Sequence, residues 1–203
     1  MKIMLDAGHH GDTHNPAPFD TEPKYYESNM NWDLHLFLKE ELEKRGFTVL
    51  TTRKEKGEDL GVFERGQAAR GCDLFISIHS NATGSSDPAK EYIDHPLVIY
   101  PILDKGEALG LANAIGKKVE EVMQTNQEYR TWVREYPERP GIDYYGVIRG
   151  AVDAGCTMAI LIEHGFHTNR RCVEWLLDKN NLKKLAAAEA EVIDEYFKDR
   201  DQQ

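Results

Sequence analysis

The sequence predicts an α/β fold: a single-domain sandwich in which a twisted, mostly parallel or mixed sheet carries helices on both faces. Two observations support this prediction. Short apolar runs alternate with longer amphipathic segments along the chain, and each strand–helix–strand unit lays a helix over one face of a sheet. The chain has 203 residues with 40% hydrophobic content, which suffices for one substantial core. We therefore expect residues 1–203 to form one domain.

Strands are predicted where apolar runs are short and rich in β-branched residues. The run L-F-I-S-I at 74–78 is nearly continuous in apolarity, which is typical of a strand covered on both faces. The segment 158–162 is the most hydrophobic of these runs. The predicted strands are 2–5, 47–52, 73–79, 97–102 and 158–162.

Helices are predicted where apolar side chains recur about every four residues. Met30, Leu34, Leu38 and Leu42 follow this spacing, and Gly46 provides a stop signal. The predicted helices are 27–45, 61–70, 107–124, 170–178 and 182–198. Two further segments that contain prolines are expected to be surface loops lining a cleft, namely 12–24 and 127–145.

Composition argues against several classes of partner. The formal net charge of −10 argues against nucleic acid as a partner, because phosphate binding requires clustered positive charge. No run of about eighteen apolar residues occurs, so neither a spanning helix nor stable membrane insertion is expected. No secretory leader precedes the first strand, which predicts a protein that stays in the cytoplasm until it is released. Three cysteines without C-x-x-C spacing are expected to be reduced thiols.

Side chains suited to metal binding and proton transfer follow the predicted strands. His9 and His79 each come after or at the end of an apolar strand, and Glu27 begins a helix. Ligand sites in sheets of this type lie at the carboxyl ends of strands. A hydrolytic zinc site takes three ligands from His, Asp or Glu and keeps one position open for water. These three residues could therefore hold one zinc ion, and Glu163, at the end of the last strand, could serve as the base.

Each of these residues also has an ordinary structural interpretation. A histidine after a strand is more often a hydrogen-bonded structural residue than a ligand, and Glu27 alone would be explained by stabilisation of a helix start. Arg149 could be an ion-pair partner only. Glu163 is harder to explain, because a carboxylate at the end of a buried strand is costly without a compensating charge. The combination therefore favours a metal-assisted hydrolase.

Four segments resemble the zinc-dependent N-acetylmuramoyl-L-alanine amidases, the bacterial and phage enzymes that cut peptidoglycan between sugar and stem peptide. They are D-A-G-H-H-G at 6–11, E-S-N-M-N at 27–31, E-R-G-Q-A-A-R-G-C-D-L-F-I-S-I-H-S-N-A at 64–82 and I-L-I-E-H-G-F-H-T-N at 160–169. The resemblance extends across nearly the whole chain. It implies hydrolysis of the amide between N-acetylmuramic acid and L-alanine, with one zinc ion as cofactor and peptidoglycan as partner.

The resemblance also implies roles for individual residues. His9, Glu27 and His79 would be the zinc ligands and Glu163 the catalytic carboxylate. Arg149 resembles a family arginine near the site. Asn81 is a candidate for orienting a ligand or contacting substrate, as ligating imidazoles usually need an oriented partner. His10 stands where a glycine is usual, so sequence alone leaves open which of the adjacent histidines binds the metal, although strand geometry favours His9.

Two further histidines lie near the predicted base. His164 and His167 flank the catalytic position and could touch substrate or be only hydrogen-bonded imidazoles.

The expected biological role is that of a cell-wall lytic enzyme, either an endolysin or an autolysin. Another zinc-dependent peptidase or amide hydrolase, and an inactive wall-binding protein of the same fold, are the alternatives. The sequence does not predict an oligomeric state.

Overall fold

A mixed, mostly parallel six-stranded sheet forms the centre of the molecule. The computed structural model describes residues 1–84, 91–104 and 106–201, so parts of the predicted domain at 85–90, 105 and 202–203 lie outside the described residues. The strands are β1 Lys2–Ala7, β2 Thr48–Thr51, β3 Leu74–Asn81, β4 Leu97–Ile99, β5 Arg130–Trp132, β6 Glu135–Tyr136, β7 Arg139–Asp143 and β8 Ala159–Phe166. The helices are α1 Glu27–Lys44, α2 Val62–Gln67, α3 Glu107–Met123, α4 Gly146–Asp153, α5 Arg170–Leu177 and α6 Lys179–Asp201.

The strand order in the large sheet is β2-β1-β3-β8-β4-β5. The first four strands in this order are parallel, β4 is antiparallel to β8, and β5 is parallel to β4. A separate antiparallel hairpin joins β6 to β7. The parallel strands β1, β3 and β8 therefore end at the same edge of the sheet, where ligand sites of α/β proteins are found.

Helices cover both faces of the sheet, as predicted. Alternate residues of each strand point to opposite faces, so Ile76 and Ile160 belong to a core formed with α1, α3, α5 and α6. Phe75 and Leu161 belong to a second, smaller core that includes Ile148 of α4. This arrangement explains why the central strands are nearly continuous in apolarity.

The predicted loop at 127–145 is wrong, because it contains the three short strands β5, β6 and β7. Arg130 and Trp132 of β5 are exposed, and β7 is exposed at four of its five positions. Strands that bury so little surface lack the apolar alternation by which strands are identified in a sequence. The segment 12–24 has no helix or named strand, in agreement with its prediction.

Several predicted boundaries also need correction. Strand β4 ends at Ile99 and not at 102; Pro101, which has no backbone N–H to donate, follows closely. Strand β8 continues to Phe166, so Glu163 lies within it and does not end it. Strand β3 likewise includes His79 and ends at Asn81. Because the polar residues continue the ladder, their side chains are held in register with those of the neighbouring strands.

Candidate metal centre and active site

Two histidines and a glutamate come together at the carboxyl-terminal edge of the sheet. His9 follows β1, His79 lies near the end of β3, and Glu27 is the first residue of α1. His9 Nε2 lies 3.0 Å from Glu27 Oε2, and His79 Nδ1 lies 3.0 Å from Glu27 Oε1. One potential ligand atom from each of the three residues lies within 4.8 Å of the others. We refer to His9, Glu27 and His79 as the triad.

The backbone conformation of His9 and the absence of a side chain at Gly8 allow the triad to form. His9 has a φ of 60°, a left-handed conformation that is uncommon for a residue with a side chain. The Arg65 guanidinium donates to the His9 carbonyl at 2.9 Å and thereby helps to hold this conformation. Gly8 has no side chain, which leaves room for the imidazole of His79: a Cβ at position 8 would lie only 2.2 Å from His79 Cε1.

Glu27 is almost completely buried and is surrounded by donors. The Ser80 backbone N–H donates to Oε1 at 3.0 Å, and Asn15 Nδ2 donates to Oε2 at 2.6 Å. Burial raises the pKa of the carboxyl group, but hydrogen bonds with His79 and His9 outweigh it and hold the pKa well below its usual range. Glu27 is therefore ionised and supplies a fixed negative charge between the two imidazoles.

A hydrogen-bonded chain of buried side chains supports the same carboxylate. Tyr25 Oη donates to Ser80 Oγ at 2.8 Å, and Ser80 Oγ lies 3.0 Å from His167 Nδ1. His167 Nδ1 also lies 3.9 Å from Glu27 Oε2. Burial lowers the pKa of His167, so its neutral form is favoured near pH 7.

Glu163 lies beside the triad on the neighbouring strand. It is the cross-strand partner of His79 in the register of β3 and β8, so both side chains project from the same face. It is 8% exposed, and its Oε2 atom is buried without a hydrogen-bond partner among the described residues. Burial, followed by the negative charge of Glu27, raises its pKa well above the usual value. A second carboxyl group thus lies close to the triad without belonging to it.

The donor set fits a divalent metal ion such as zinc. Two imidazoles and one carboxylate are the ligand types that zinc takes in hydrolytic sites, and three ligands leave one position open. The buried Oε2 atom of Glu163, which has no hydrogen-bond partner among the described residues, also fits a nearby cation, because a positive charge offsets the cost of burying a carboxylate. A cation held by the triad would supply this charge.

Sequence comparison places the chain in a known family. The model of the N-acetylmuramoyl-L-alanine amidase family matches residues 3–195. The chain belongs to this family. No protein of curated function matches the sequence significantly.

Solved structures with the same fold include several amidases. Cwp6 from Clostridium difficile has 24% sequence identity and a TM-score of 0.80; the match covers 96% of this chain but 29% of Cwp6. The CwlD amidase from Clostridioides difficile, solved in complex with the GerS lipoprotein, has 23% identity and a TM-score of 0.74, with 97% and 98% of the two chains covered. The catalytic domain of CwlV, an N-acetylmuramoyl-L-alanine amidase from Bacillus (Paenibacillus) polymyxa var. colistinus, gives 22% identity and the same TM-score and coverage. At these identities the likeness shows a common fold.

His10 and Asn81 lie outside the hydrogen bonds of the triad in this amidase-family chain. His10 Nδ1 is 3.2 Å from Asp59 Oδ1, so His10 pairs with an exposed carboxylate, whereas His9 is the histidine in the triad. The side-chain oxygen of Asn81 accepts a hydrogen bond from the Ala82 amide at 2.8 Å. No hydrogen bond joins the Asn81 side chain to the triad within the described part of the chain.

Arg149 lies in α4 and contacts the backbone at the end of β7. Its Nη1 donates to the carbonyls of Asp143 at 2.7 Å and Tyr144 at 3.3 Å. Both interactions position the start of α4. Burial raises the pKa of the hydroxyl of Tyr145, the residue before α4; a hydrogen bond with Arg134 lowers this pKa, and the charge of Glu163 raises it.

His164 follows Glu163 in β8, so it projects from the opposite face of the sheet, and it is fully buried. Its Nε2 lies 2.6 Å from Glu189 Oε1 on α6, and its Nδ1 lies 3.0 Å from the backbone oxygen of His79. The His164–Glu189 pair therefore links the last helix to the strand that carries one member of the triad. Its location indicates a structural role and not contact with substrate.

Sequence reasoning assigned no role to the groups that surround Glu27, although Asn31 belongs to the segment E-S-N-M-N that carries the family resemblance. Asn15 lies in an irregular segment, and Ser80 acts through its backbone N–H. Asn31 follows Glu27 by four residues, which places both on one side of α1, and its Nδ2 donates to the Gly8 carbonyl at 3.2 Å. The spacing of four residues was a usable signal for Asn31, whereas no sequence pattern pointed to the other two.

Proposed function

We propose that this protein is a zinc-dependent N-acetylmuramoyl-L-alanine amidase, which hydrolyses the amide between N-acetylmuramic acid and L-alanine in peptidoglycan. The observation that carries the proposal is the triad of His9, Glu27 and His79 next to the buried Glu163, whose Oε2 atom has no hydrogen-bond partner among the described residues. The family match supplies the substrate class. The site of action is then the bacterial cell wall; among the described residues, no helix is long and apolar enough to cross a membrane.

Within this proposal the triad holds the metal. His9, Glu27 and His79 would each supply one ligand atom. When bound, a zinc ion acts as a Lewis acid toward the scissile carbonyl and lowers the pKa of water. The surrounding residues hold the ligands in place: Ser80 and Asn15 donate to Glu27, and Arg65 fixes the backbone of His9.

Glu163 is proposed to move the proton. Its Oε2 atom is buried and has no hydrogen-bond partner within the described chain, so it is available to accept a proton from the attacking water. The same carboxyl group then donates this proton to the nitrogen of the departing alanine, which leaves as an amine. The pairing of Glu163 with His79 across β3 and β8 fixes the base beside the triad throughout both transfers.

The Glu163→Gln variant tests this assignment. Glutamine has nearly the same shape but cannot act as a base, so we expect zinc content equal to that of the unmodified protein and a loss of turnover of at least about a hundredfold. The matched control is Glu174→Gln, which replaces an exposed glutamate on α5 and should retain full activity. Activity of Glu163→Gln near that of the unmodified protein would remove Glu163 from the mechanism.

Digestion of purified peptidoglycan tests the reaction itself. Mass spectrometry of the fragments, with and without a chelator, should show new N-terminal alanine and no new reducing sugar. Cleavage at another amide of the stem peptide would identify a peptidase instead. Binding to the wall without cleavage by zinc-loaded protein would identify an inactive wall-binding protein.

A further inference from the structure

A cavity of about 410 Å³ lies on the side of Glu163 opposite to the triad. Leu97 of β4 is the cross-strand partner of Glu163, and Arg130 of β5 is the partner of Leu97. His79, Glu163, Leu97 and Arg130 thus form one row across four adjacent strands and project from the same face. The cavity is lined at this row by Leu97 and Arg130, with Trp132 and Phe166 as aromatic walls.

Arg130 provides the positive charge of this cavity. No carboxylate among the described residues lines the cavity or lies within ion-pair distance of Arg130, although the whole chain has a net charge of −10. Asp94, the buried acid that precedes the cavity-lining His95, is already engaged: it accepts from the Asn126 backbone N–H at 2.7 Å and lies 3.5 Å from Arg171 Nη1. His95 also lines the cavity, but burial lowers its pKa and favours the neutral form.

We propose that this cavity binds the stem peptide of peptidoglycan on the leaving-group side of the cut, with Arg130 holding the carboxylate of the residue that follows alanine. This inference rests on the proposed function, because it assumes that the amide beside alanine is cleaved at Glu163. The residue after alanine in peptidoglycan is D-glutamate, whose α-carboxyl group is free in some walls and amidated in others. The proposal therefore concerns recognition of an acidic peptide.

The spacing of the sheet agrees with the length of such a peptide. Neighbouring strands are about 4.8 Å apart, so the Cα atoms of Glu163 and Arg130 are separated by roughly 10 Å. Two extended residues span about 7 Å, and the long arginine side chain covers the remaining distance. A planar guanidinium can bind a carboxylate with two parallel hydrogen bonds. Trp132 and Phe166 offer apolar surface to the methyl group of alanine and to the methylene groups of the next residue.

Two soluble muramyl tripeptides that differ only in this α-carboxyl group, free or amidated, test the proposal. We expect a KM about tenfold lower for the free acid, as a charge-assisted hydrogen bond is lost on amidation. Arg130→Gln should raise the KM for the free acid to that for the amide, with kcat little changed, and Arg130→Lys should restore part of the difference. The matched control is Arg139→Gln, which removes an exposed arginine of β7 that does not line the cavity and should keep the preference.

A binding measurement separates this proposal from the proposed function. Calorimetric titration of both tripeptides into Glu163→Gln and into Glu163→Gln/Arg130→Gln should show a preference for the free acid in the first protein only. Cleavage of neither peptide by the unmodified protein would refute the proposed function, and the titration would still test the cavity. Equal affinities for the two peptides, or a preference that survives loss of Arg130, would overturn the peptide site. If Arg130→Gln weakened the binding of both peptides equally, the result would indicate that Arg130 contacts the sugar. This outcome would also overturn the proposed peptide site.

Discussion

The close approach of Gly8 to His79 makes a single methyl group a sensitive probe of the metal site. In Gly8→Ala, the new Cβ would lie 2.2 Å from His79 Cε1 and 2.4 Å from Nε2. Ordinary van der Waals contact begins at 3.4 Å, so the imidazole must move by about 1.2 Å (3.4 − 2.2). Zinc ligands tolerate only about 0.2 Å of error in bond length. We therefore expect zinc affinity to fall by at least about tenfold, the low end of effects measured on displacing groups around a metal site.

The assay is competition for zinc against a chromophoric chelator, together with thermal unfolding followed by circular dichroism. Gly57→Ala is the matched control, because its Cβ would meet no atom within 4 Å and no positive φ is recorded for Gly57. Gly57→Ala should bind zinc as the unmodified protein does. If folded Gly8→Ala bound zinc with unchanged affinity, the position of the His79 imidazole beside Gly8 would not be required for zinc binding, and our account of the triad would be wrong.

Two further predictions concern buried polar groups outside the triad. Burial lowers the pKa of His35 from 6.5 to about 4. Between these pH values His35 is protonated in the unfolded chain but neutral in the folded protein, so stability that is present above pH 6.5 is lost as the pH falls toward 4. Between pH 7 and pH 5, the free energy of unfolding measured in urea should fall by about 2 kcal/mol less for His35→Gln than for the unmodified protein. An equal fall in both proteins would contradict this prediction. Glu189→Ala should cost about 3 kcal/mol by leaving buried His164 Nε2 without its partner, whereas Glu191→Ala, on the exposed side of α6, should cost less than about 0.5 kcal/mol. Equal free energies of unfolding for these two variants would show that the buried pair does not stabilise the fold.

The proximity of His9, His79 and Glu163 could be predicted because strand ends are visible in the sequence. Each residue belongs to or follows a strongly apolar run, and parallel strands bring their carboxyl ends to one edge. Glu27 could be added because it begins a long amphipathic helix. The same strong patterns predicted the layered fold with helices on both faces.

The remainder of the site depends on features that leave no periodic signal. Asn15 reaches Glu27 from an irregular segment, whose path is determined by individual hydrogen bonds such as that from the Glu27 N–H to the Asn15 carbonyl. Arg130 lies in a short, exposed edge strand without apolar alternation. Its place in the row with Glu163 follows from the register of two strand pairs, which a single sequence does not specify.

The most direct test of the central claim is anomalous X-ray diffraction at the zinc absorption edge, from crystals of the purified protein grown with zinc. We predict one strong anomalous peak at about 2.0–2.2 Å from His9 Nε2, Glu27 Oε2 and a ring nitrogen of His79. Glu163 should lie beside this peak without contacting it directly. A map with no peak between these three side chains, from crystals of protein that cleaves peptidoglycan, would contradict the account.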